Sequence, residues 1–263
     1  MHKHITLLAL LAAMQRKEKG FAYFETHAGG GAYDLSASSE VAGGFGRLAA
    51  ARVQADELRN YLELVAQFRL QRNQPLAYPG SALIAAARLR PQDRALFSEI
   101  ERAQARGLER ELAGYPLMRV EAADGFERLR AWLPPPQRRG LTFIDPPYED
   151  TQQDFDQVIA CLVDALQRFA TGVFAVWYPI KQQREIRAWQ GRIRRAVTAD
   201  TLAAEMWLYP RDSRIALNGS GLLLVNPPYQ LAERMRVWLV ELHAHLADPG
   251  AGGTSIEKLT SVR

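Results

Sequence analysis

The 263-residue sequence predicts an α/β fold in which a mostly parallel sheet is covered by helices on both faces, with an antiparallel hairpin at one edge. Short apolar runs, typical of buried strands, alternate with segments of helical periodicity. The last two apolar runs, 204–209 and 221–225, have no full helical pattern between them, which favours an antiparallel pair. About sixty mainly helical residues separate a glycine-rich loop from the next strand, too many for one crossover, and these indicate a small helical insertion.

Each element has a local signal. Residues 4–17 have the spacing of an amphipathic helix, which Gly20 ends, and the aromatic run 21–24 is typical of a strand. Further strands are predicted at 94–100, 117–121, 140–144 and 173–178. Further helices are predicted at 45–71, 82–87, 101–113, 126–132, 154–170 and 181–191 and after Tyr229. Residues 36–78 form the predicted insertion within a single domain of residues 1–263, and the glycine-rich tail after Asp248 is expected to fray.

Composition narrows the classes of function. The net charge of +4 and a pI near 9.3 permit an anionic partner such as nucleic acid without demanding one. Cys161 is the one cysteine in the sequence, which excludes an intrachain disulfide and a thiolate-rich zinc site and fits a reducing cytosol. Its apolar surroundings indicate a buried thiol rather than a nucleophile. Every apolar run is shorter than about 18 residues, so no membrane span is predicted.

A glycine-rich loop, residues 25–31, follows the first predicted strand. Gly29, Gly30 and Gly31 would let a ligand approach the backbone closely. The spacing is neither the dinucleotide-binding frame nor a phosphate-binding P-loop, which disfavours pyrophosphate binding. From the residues alone, a ligand site and a purely geometric turn remain open in equal measure.

Two further carboxylates fall at the carboxyl ends of predicted strands, where open parallel sheets bind their ligands. Glu99 could accept hydrogen bonds from both ribose hydroxyls of a nucleoside, although a solvated charge is the simpler interpretation. Asp124, followed by Gly125, could bind an adenine amino group, or the pair could be an ordinary turn.

The sequence Asp145-Pro146-Pro147-Tyr148 follows the predicted strand 140–144 and is the most specific motif. The prolines lack N–H groups and stiffen the turn, so the Asp145 carboxylate and the Pro146 carbonyl form a pair of acceptors suited to an exocyclic amine. Tyr148 offers a face on which a base could stack.

Two acceptors on an aromatic amine would favour a pyramidal nitrogen with a localised lone pair, able to attack a methyl group in line with a sulfonium leaving group. One alternative is that Asp145 only begins a rigid turn. Another is that Asn226-Pro227-Pro228-Tyr229 is the reactive motif. Asp145 is favoured because it comes in the expected order after the glycine-rich loop.

These motifs together resemble a known family. They are 26–31 (Thr-His-Ala-Gly-Gly-Gly), 78–81 (Tyr-Pro-Gly-Ser), 123–126 (Ala-Asp-Gly-Phe), 138–141 (Arg-Arg-Gly-Leu), 144–149 (Ile-Asp-Pro-Pro-Tyr-Glu), 177–179 (Trp-Tyr-Pro) and 226–228 (Asn-Pro-Pro). In this order they resemble the bacterial 23S ribosomal RNA adenine-N6 methyltransferases of the RlmJ type over nearly the whole chain. The resemblance implies a Rossmann-like class I methyltransferase fold, S-adenosylmethionine as methyl donor and an adenine of 23S rRNA as target.

The resemblance also implies roles for individual residues. Asp145 and Pro146 are catalytic, Tyr148 stacks the target base, and Lys3 lies near the target adenine. The implied donor-binding residues are His4, His27, Ser81, Glu99, Asp124, Gly125 and Asp145. Glu99 would hold the ribose of the donor and Asp124 its adenine.

Members of that family carry a further segment with histidine and aromatic residues before the Lys3-His4 pair, and this chain starts almost at the pair. The segment helps to close the site over donor and RNA. The short start makes a non-catalytic RNA-binding protein on a methyltransferase scaffold one alternative, and a DNA adenine-N6 methyltransferase, which uses the same chemistry on another polymer, is the other. We expect a cytoplasmic monomer with no metal and no membrane association.

Overall fold

The computed structural model describes residues 1–37, 39–210 and 217–259, and it describes their side chains outside 37–43. The strands within these ranges are β1 (Ala22–Glu25), β2 (Ala32–Asp34), β3 (Ala77–Pro79), β4 (Arg94–Ser98), β5 (Met118–Glu121), β6 (Gly140–Ile144), β7 (Val173–Ile180), β8 (Thr201–Trp207), β9 (Gly219–Val225) and β10 (Gly253–Lys258). The helices are α1 (His2–Met14), α2 (Ser39–Ala50), α3 (Asp56–Arg72), α4 (Ser81–Arg88), α5 (Arg102–Glu111), α6 (Gly125–Trp132), α7 (Thr151–Arg168), α8 (Gln183–Ala196) and α9 (Leu231–Leu246).

The main sheet has eight strands in the order β10-β8-β9-β7-β6-β1-β4-β5. The strands from β7 to β5 in this order are parallel, whereas β9, β8 and β10 pair in antiparallel fashion. The carboxyl ends of the parallel strands form what we call the upper end of the sheet, and their amino ends form the lower end. The chain order reverses between β1 and β6, which is where open α/β sheets bind ligands. The predicted fold class is confirmed.

The tail after Asp248 differs from the prediction that it frays. Residues Gly253–Lys258 form β10, which pairs with β8 along its whole length. Gly250 and Gly252 have positive φ angles of 77° and 69°, and these turn the chain back onto the sheet. A glycine-rich sequence has little strand propensity of its own, so this pairing depends on the neighbouring strand. Residues 260–263 lie outside the described part of the chain.

Helices cover both faces of the sheet, as predicted. One core cluster joins one face to α1, α2, α3, α4, α5 and α9, and a second joins the other face to α6, α7 and α8. Along β6, Leu141 and Phe143 enter the first cluster and Ile144 the second, as the alternation of strand side chains requires. The prediction that the first helix is amphipathic is wrong, because α1 packs against α3, α4, α9 and β6 and is buried on nearly all sides.

The predicted helix 45–71 is in fact two helices, α2 and α3, separated by residues 51–55. The carboxylate of Glu241 on α9 accepts hydrogen bonds from the backbone N–H groups of the two residues that precede α3. Sequence periodicity cannot reveal a cap supplied by a distant helix, so the break was not predicted. Both helices lie between β2 and β3, which pair as a separate ribbon. The assignment of residues 36–78 to an insertion subdomain remains a prediction.

Candidate active site

Two predicted motifs meet where the strand order reverses. β1 ends at Glu25 and β6 ends at Ile144, and the register pairs Glu25 with Phe143. The Thr26 N–H also donates to the Phe143 carbonyl at 3.1 Å, which continues the pairing beyond β1. The glycine-rich loop and the turn at Asp145 therefore leave the upper end of the sheet side by side.

Neighbouring groups hold the glycine-rich loop in a defined shape. Gly29 and Gly31 have positive φ angles of 64° and 88°, which residues with a Cβ rarely adopt. The Gly29 N–H donates to a carboxylate oxygen of Glu99 at 2.8 Å, and the Gly31 carbonyl accepts from the Gly80 N–H at 2.6 Å. Glu99, predicted to hold a ribose, therefore also orients the loop.

Asp145 is paired with Lys3, which comes from the first turn of α1. The Lys3 ammonium donates to Asp145 Oδ2 and lies 5.7 Å from the centroid of the Trp177 ring. Burial lowers the pKa of Lys3, but the charges of Asp145 and Glu25 outweigh it, so the pKa is raised from its ordinary value. The ammonium occupies a position beside Asp145 in which the N–H groups of an amine could bind.

Glu25 is a site residue that the sequence reasoning misses. It is fully buried, and its carboxylate accepts hydrogen bonds from the Tyr23 hydroxyl at 2.9 Å and from the Ser81 hydroxyl. Burial raises its pKa to about 8. Ser81, the first residue of α4, thus bonds Glu25, and its side chain does not cap that helix. The signal was available, because Glu25 ends a buried strand just as Glu99 follows one.

His27 lies among the predicted carboxylates. Burial lowers its pKa, and it does so against the opposing charges of Asp145, Glu99 and Asp124. The three carboxylates act on one ring because the strand ends bring them to the same region. The ring also packs edge-on against Phe126, with 5.0 Å between centroids.

His4, on α1, is 4% exposed and makes one side-chain hydrogen bond. Its Nδ1 lies 3.0 Å from the Tyr78 hydroxyl, whereas Nε2 has no hydrogen-bond partner within the described ranges. Burial, followed by the charge of Lys3, lowers the pKa of His4 well below its ordinary value, so the ring is neutral. A buried nitrogen of this kind is costly unless a ligand satisfies it, which makes Nε2 a candidate ligand contact.

Asp124 and Gly125 begin α6 and do not form a simple turn. Asp124 Oδ1 accepts hydrogen bonds from the N–H groups of Phe126 at 2.8 Å and Glu127 at 3.1 Å, which is an N-cap. A Cβ at Gly125 would lie 1.8 Å from the Thr26 carbonyl oxygen, so only glycine permits this close packing. The pair therefore joins the upper end of β5 to the segment that enters the glycine-rich loop.

The chain matches a known family along nearly all of its length. A family model described as "Ribosomal RNA large subunit methyltransferase D, RlmJ" matches residues 18–260. The chain belongs to this RlmJ family. It is accordingly a methyltransferase, and its fold is the Rossmann-like class I methyltransferase fold.

Individual RlmJ relatives support this membership. Two curated proteins, both named ribosomal RNA large subunit methyltransferase J, come from Haemophilus influenzae and Escherichia coli and are each 34% identical to this chain. The matches cover 98% and 97% of this chain and 93% and 92% of those proteins. The crystal structure of a Legionella pneumophila protein is 31% identical, with a TM-score of 0.89 over 97% of this chain and 94% of that one.

Tyr148, predicted to stack the target base, has no free face in this RlmJ-family structure. It is 3% exposed, and its hydroxyl donates to the Trp177 carbonyl at 2.6 Å. Its ring packs edge-on against Phe155 and Trp177, with centroids 5.5 Å and 5.8 Å away. A base can stack on this ring only after the ring turns outward.

The second Pro-Pro-Tyr motif of this RlmJ-family chain lies at the other end of the sheet. β9 is antiparallel to β7, and its last residue, Val225, pairs with Phe174 near the start of β7. Asn226 therefore emerges at the lower end, where its Nδ2 donates to the carbonyls of Ala170 and Gly172, both at 2.8 Å. The structure separates Asn226 from the glycine-rich loop and gives it the role of a turn.

Three further observations concern other kinds of site. Among the residues that the structure describes, no three His, Cys, Asp or Glu side chains are grouped to hold a metal ion. No helix in those ranges has both the length and the apolar character to cross a membrane. Burial raises the pKa of the Cys161 thiol to about 12, which disfavours a nucleophilic thiolate.

Proposed function

We propose that this chain transfers a methyl group from S-adenosylmethionine to the exocyclic N6 amine of an adenine in 23S ribosomal RNA. The observation that carries the proposal is the position of Asp145. It follows β6 where the strand order reverses and stands beside the glycine-rich loop. A carboxylate there can hold an amine next to a donor bound across that loop.

The residues present fit S-adenosylmethionine. His4 offers a buried Nε2 that lacks a partner in the described part of the chain, and the glycines of the loop leave its backbone open to close approach. The other proposed donor-binding residues around the same strand ends are His27, Ser81, Glu99, Asp124, Gly125 and Asp145. We assign the ribose to Glu99 and the adenine to Asp124. When bound, the donor supplies a methyl group on a positively charged sulfur.

Asp145 and Pro146 provide the two acceptors for the target amine. Hydrogen bonds to both N–H groups draw the nitrogen lone pair out of conjugation with the ring and point it at the methyl group; once the new N–C bond forms in place of the S–C bond, the positively charged nitrogen releases one of these protons to solvent. Lys3 bonds Oδ2 of the same carboxylate, and a carboxylate accepts several hydrogen bonds, so the incoming amine binds Oδ1 or shares Oδ2 with the ammonium. Lys3 then remains close enough to contact the adenine, which is its proposed role.

Stacking of the target base requires a movement of Tyr148. Its ring leaves the contact with Phe155, and its hydroxyl releases the Trp177 carbonyl. Stacking a base on an aromatic ring is typically worth about 1–3 kcal/mol, which offsets the loss of one hydrogen bond, about 1 kcal/mol. We therefore propose that Tyr148 turns outward when the base enters.

Ribosomal RNA is the proposed polymer because both curated relatives carry that substrate in their names and match this chain almost from end to end. The adenine-N6 specificity comes from the acceptor pair at Asp145. A cytoplasmic location and a monomeric state remain predictions.

The test is transfer of a labelled methyl group to fragments of 23S rRNA, with duplex DNA as competitor and nucleoside analysis of the product. We expect N6-methyladenosine in the RNA. Asp145→Ala should lower kcat by about 100- to 1,000-fold, since a preorganised group facing the reacting amine is lost. Asp156→Ala, which removes an exposed carboxylate from α7, is the matched control and should be unchanged. Equal rates for wild type and Asp145→Ala, or preferred methylation of DNA, would overturn the proposal.

A further inference from the structure

A buried chain of three polar side chains runs from the helical insertion to the candidate site. The Tyr61 hydroxyl on α3 lies 2.5 Å from the Tyr78 hydroxyl on β3, and the latter lies 3.0 Å from His4 Nδ1. The three side chains are 0%, 6% and 4% exposed. We call them the Tyr–Tyr–His chain; it ends at His4 Nε2, which has no partner among the described residues.

The protons of the Tyr–Tyr–His chain can be placed by counting hydrogen-bond donors and acceptors. Burial raises the pKa of Tyr61 and of Tyr78 and lowers that of His4, so all three groups are neutral and each carries one proton. If Nδ1 carried the imidazole proton, Tyr78 would donate to Tyr61. The Tyr61 hydroxyl hydrogen would then be buried with no acceptor in the described ranges, which is costly.

The opposite arrangement moves the one hydrogen that lacks an acceptor in the described ranges from Tyr61 to His4 Nε2, the end of the Tyr–Tyr–His chain that we place at the candidate site, where a ligand can accept it. Tyr61 donates to the Tyr78 oxygen, Tyr78 donates to His4 Nδ1, and the imidazole proton resides on Nε2. Besides the Nε2–H, a lone pair on Tyr61 is left without a partner in the described ranges, and an unpaired acceptor is better tolerated than an unpaired donor. Phe45 packs edge-on against both tyrosine rings, with centroids 6.2 Å and 6.0 Å away, and holds them in place.

We infer that Tyr61 and Tyr78 are positioning residues that fix His4 as a single Nε2–H donor for the carboxylate of the methyl donor. This rests on the proposed function for the identity of the ligand. A carboxylate suits the position, because His4 lies in the first turn of α1, where the helix dipole favours an anion. The helical insertion thereby contributes to donor binding without touching the donor.

The experiment combines two measurements on the whole chain. Nitrogen-15 spectra of the five labelled histidines, with His4→Gln for assignment, report which ring nitrogen of His4 carries the proton before any ligand is added. Calorimetry then gives the Kd for S-adenosylmethionine. We expect the proton on Nε2 in the wild type and a shift of that resonance when the donor binds.

Tyr78→Phe removes the donor to Nδ1, so we expect a mixture of the two His4 tautomers and a Kd about ten-fold higher. Tyr61→Phe removes only the outer donor and should raise Kd about two- to three-fold. Tyr178→Phe is the matched control: Tyr178 is fully buried, but its hydroxyl bonds Glu205, and neither measurement should change. If Tyr78→Phe does not fold, the Kd of Tyr61→Phe decides.

The outcomes separate this inference from the proposed function. A wild-type proton on Nδ1, or the wild-type tautomer and Kd in both tyrosine variants, overturns the inference. Failure of the wild type to bind the donor, with the tautomer as expected, overturns the assignment of S-adenosylmethionine and leaves the Tyr–Tyr–His chain supported for another anionic ligand.

Discussion

The chain contains the tripeptide Pro-Pro-Tyr twice, at 146–148 and 227–229, and the two copies lie at opposite ends of the sheet. Asp145 precedes the first copy; its side chain is 12% exposed and is bound by the ammonium of Lys3. Asn226 precedes the second, and its amide satisfies two backbone carbonyls. The same three residues therefore follow a charged, shielded carboxylate in one place and a structural amide in the other.

Strand direction accounts for this difference. β6 is parallel to β1, so the first copy emerges beside the glycine-rich loop, whereas β9 is antiparallel to β7 and delivers the second copy to the lower end. Tyr148 is accordingly 3% exposed and Tyr229 81% exposed. The position and role of each Pro-Pro-Tyr copy thus depend on the direction of the strand that precedes it and not on the three residues themselves.

The two ends of the sheet also treat a buried carboxylate differently. At the upper end, burial raises the pKa of Glu25 from 4.5 to about 8. At the lower end, Asp93 is also shielded from solvent, but hydrogen bonds from Arg90 and from the Phe21 N–H outweigh burial and lower its pKa. Burial therefore keeps Glu25 protonated at the upper end, whereas hydrogen bonds stabilise the charged form of Asp93 at the lower end.

We expect Glu25→Gln to produce the largest change in stability, and the change depends on pH. Between pH 4.5 and about 8, native Glu25 keeps a proton that the unfolded chain releases. Its contribution is therefore complete below the unfolded pKa and is lost as pH rises to about 8. The free energy of unfolding of the wild type minus that of Glu25→Gln should fall by about 1.4 kcal/mol for each pH unit in this window. Urea unfolding at several pH values measures this difference.

Asp93→Asn is a control in which the free energy of unfolding should depend on pH in the opposite direction. Because the folded pKa of Asp93 is lowered, its contribution is present above the unfolded value of 3.8 and is lost as pH falls through the folded pKa. The wild-type minus variant difference should therefore rise with pH in the acid range. Profiles of the same sign for Asp93→Asn and Glu25→Gln would contradict the contrast between the two ends.

Asn226→Ala tests whether the second motif is only a turn. It removes two hydrogen bonds of 2.8 Å and places alanine at a φ of 52°, where asparagine is better tolerated. We expect the free energy of unfolding to fall by about 2 kcal/mol with the transfer rate unchanged. Asn226→Gly, which accepts this φ freely, should lose about 1 kcal/mol. A folded Asn226→Ala that has lost methyl transfer would overturn the comparison.

The parallel sheet could be predicted from sequence because its strands are buried on both faces and appear as continuous apolar runs, such as 140–144 and 173–178. The parts that were missed depend on distant partners. The break between α2 and α3 is capped by Glu241 from α9, and β10 is ordered by pairing with β8. The local sequence around residues 51–55 and 253–258 gives no sign of these partners, Glu241 and β8.

The residues of the candidate site also divide into those that the local sequence predicts and those that depend on distant contacts. Asp145 and Glu99 could be predicted because each follows a buried strand, and position alone brings such residues together. Lys3 required the family resemblance, since the first turn of a helix does not reveal which strand end it meets. Tyr78 reaches His4 because the β2–β3 ribbon brings it to α1, a contact between residues 74 positions apart.

The smallest predicted effects concern Tyr148 and Tyr229, the tyrosines of the two Pro-Pro-Tyr copies. Tyr148→Phe removes the 2.6 Å hydrogen bond to the Trp177 carbonyl, so the free energy of unfolding should fall by about 1 kcal/mol. Tyr229→Phe alters an exposed hydroxyl and should change the free energy of unfolding by less than about 0.5 kcal/mol.

Both variants should retain wild-type methyl transfer, because a phenyl ring at 148 can still turn outward and stack, whereas Tyr148→Ala removes the ring and should slow transfer. Urea unfolding and single-turnover transfer check these values; wild-type transfer by Tyr148→Ala would show that the ring does not stack on the base.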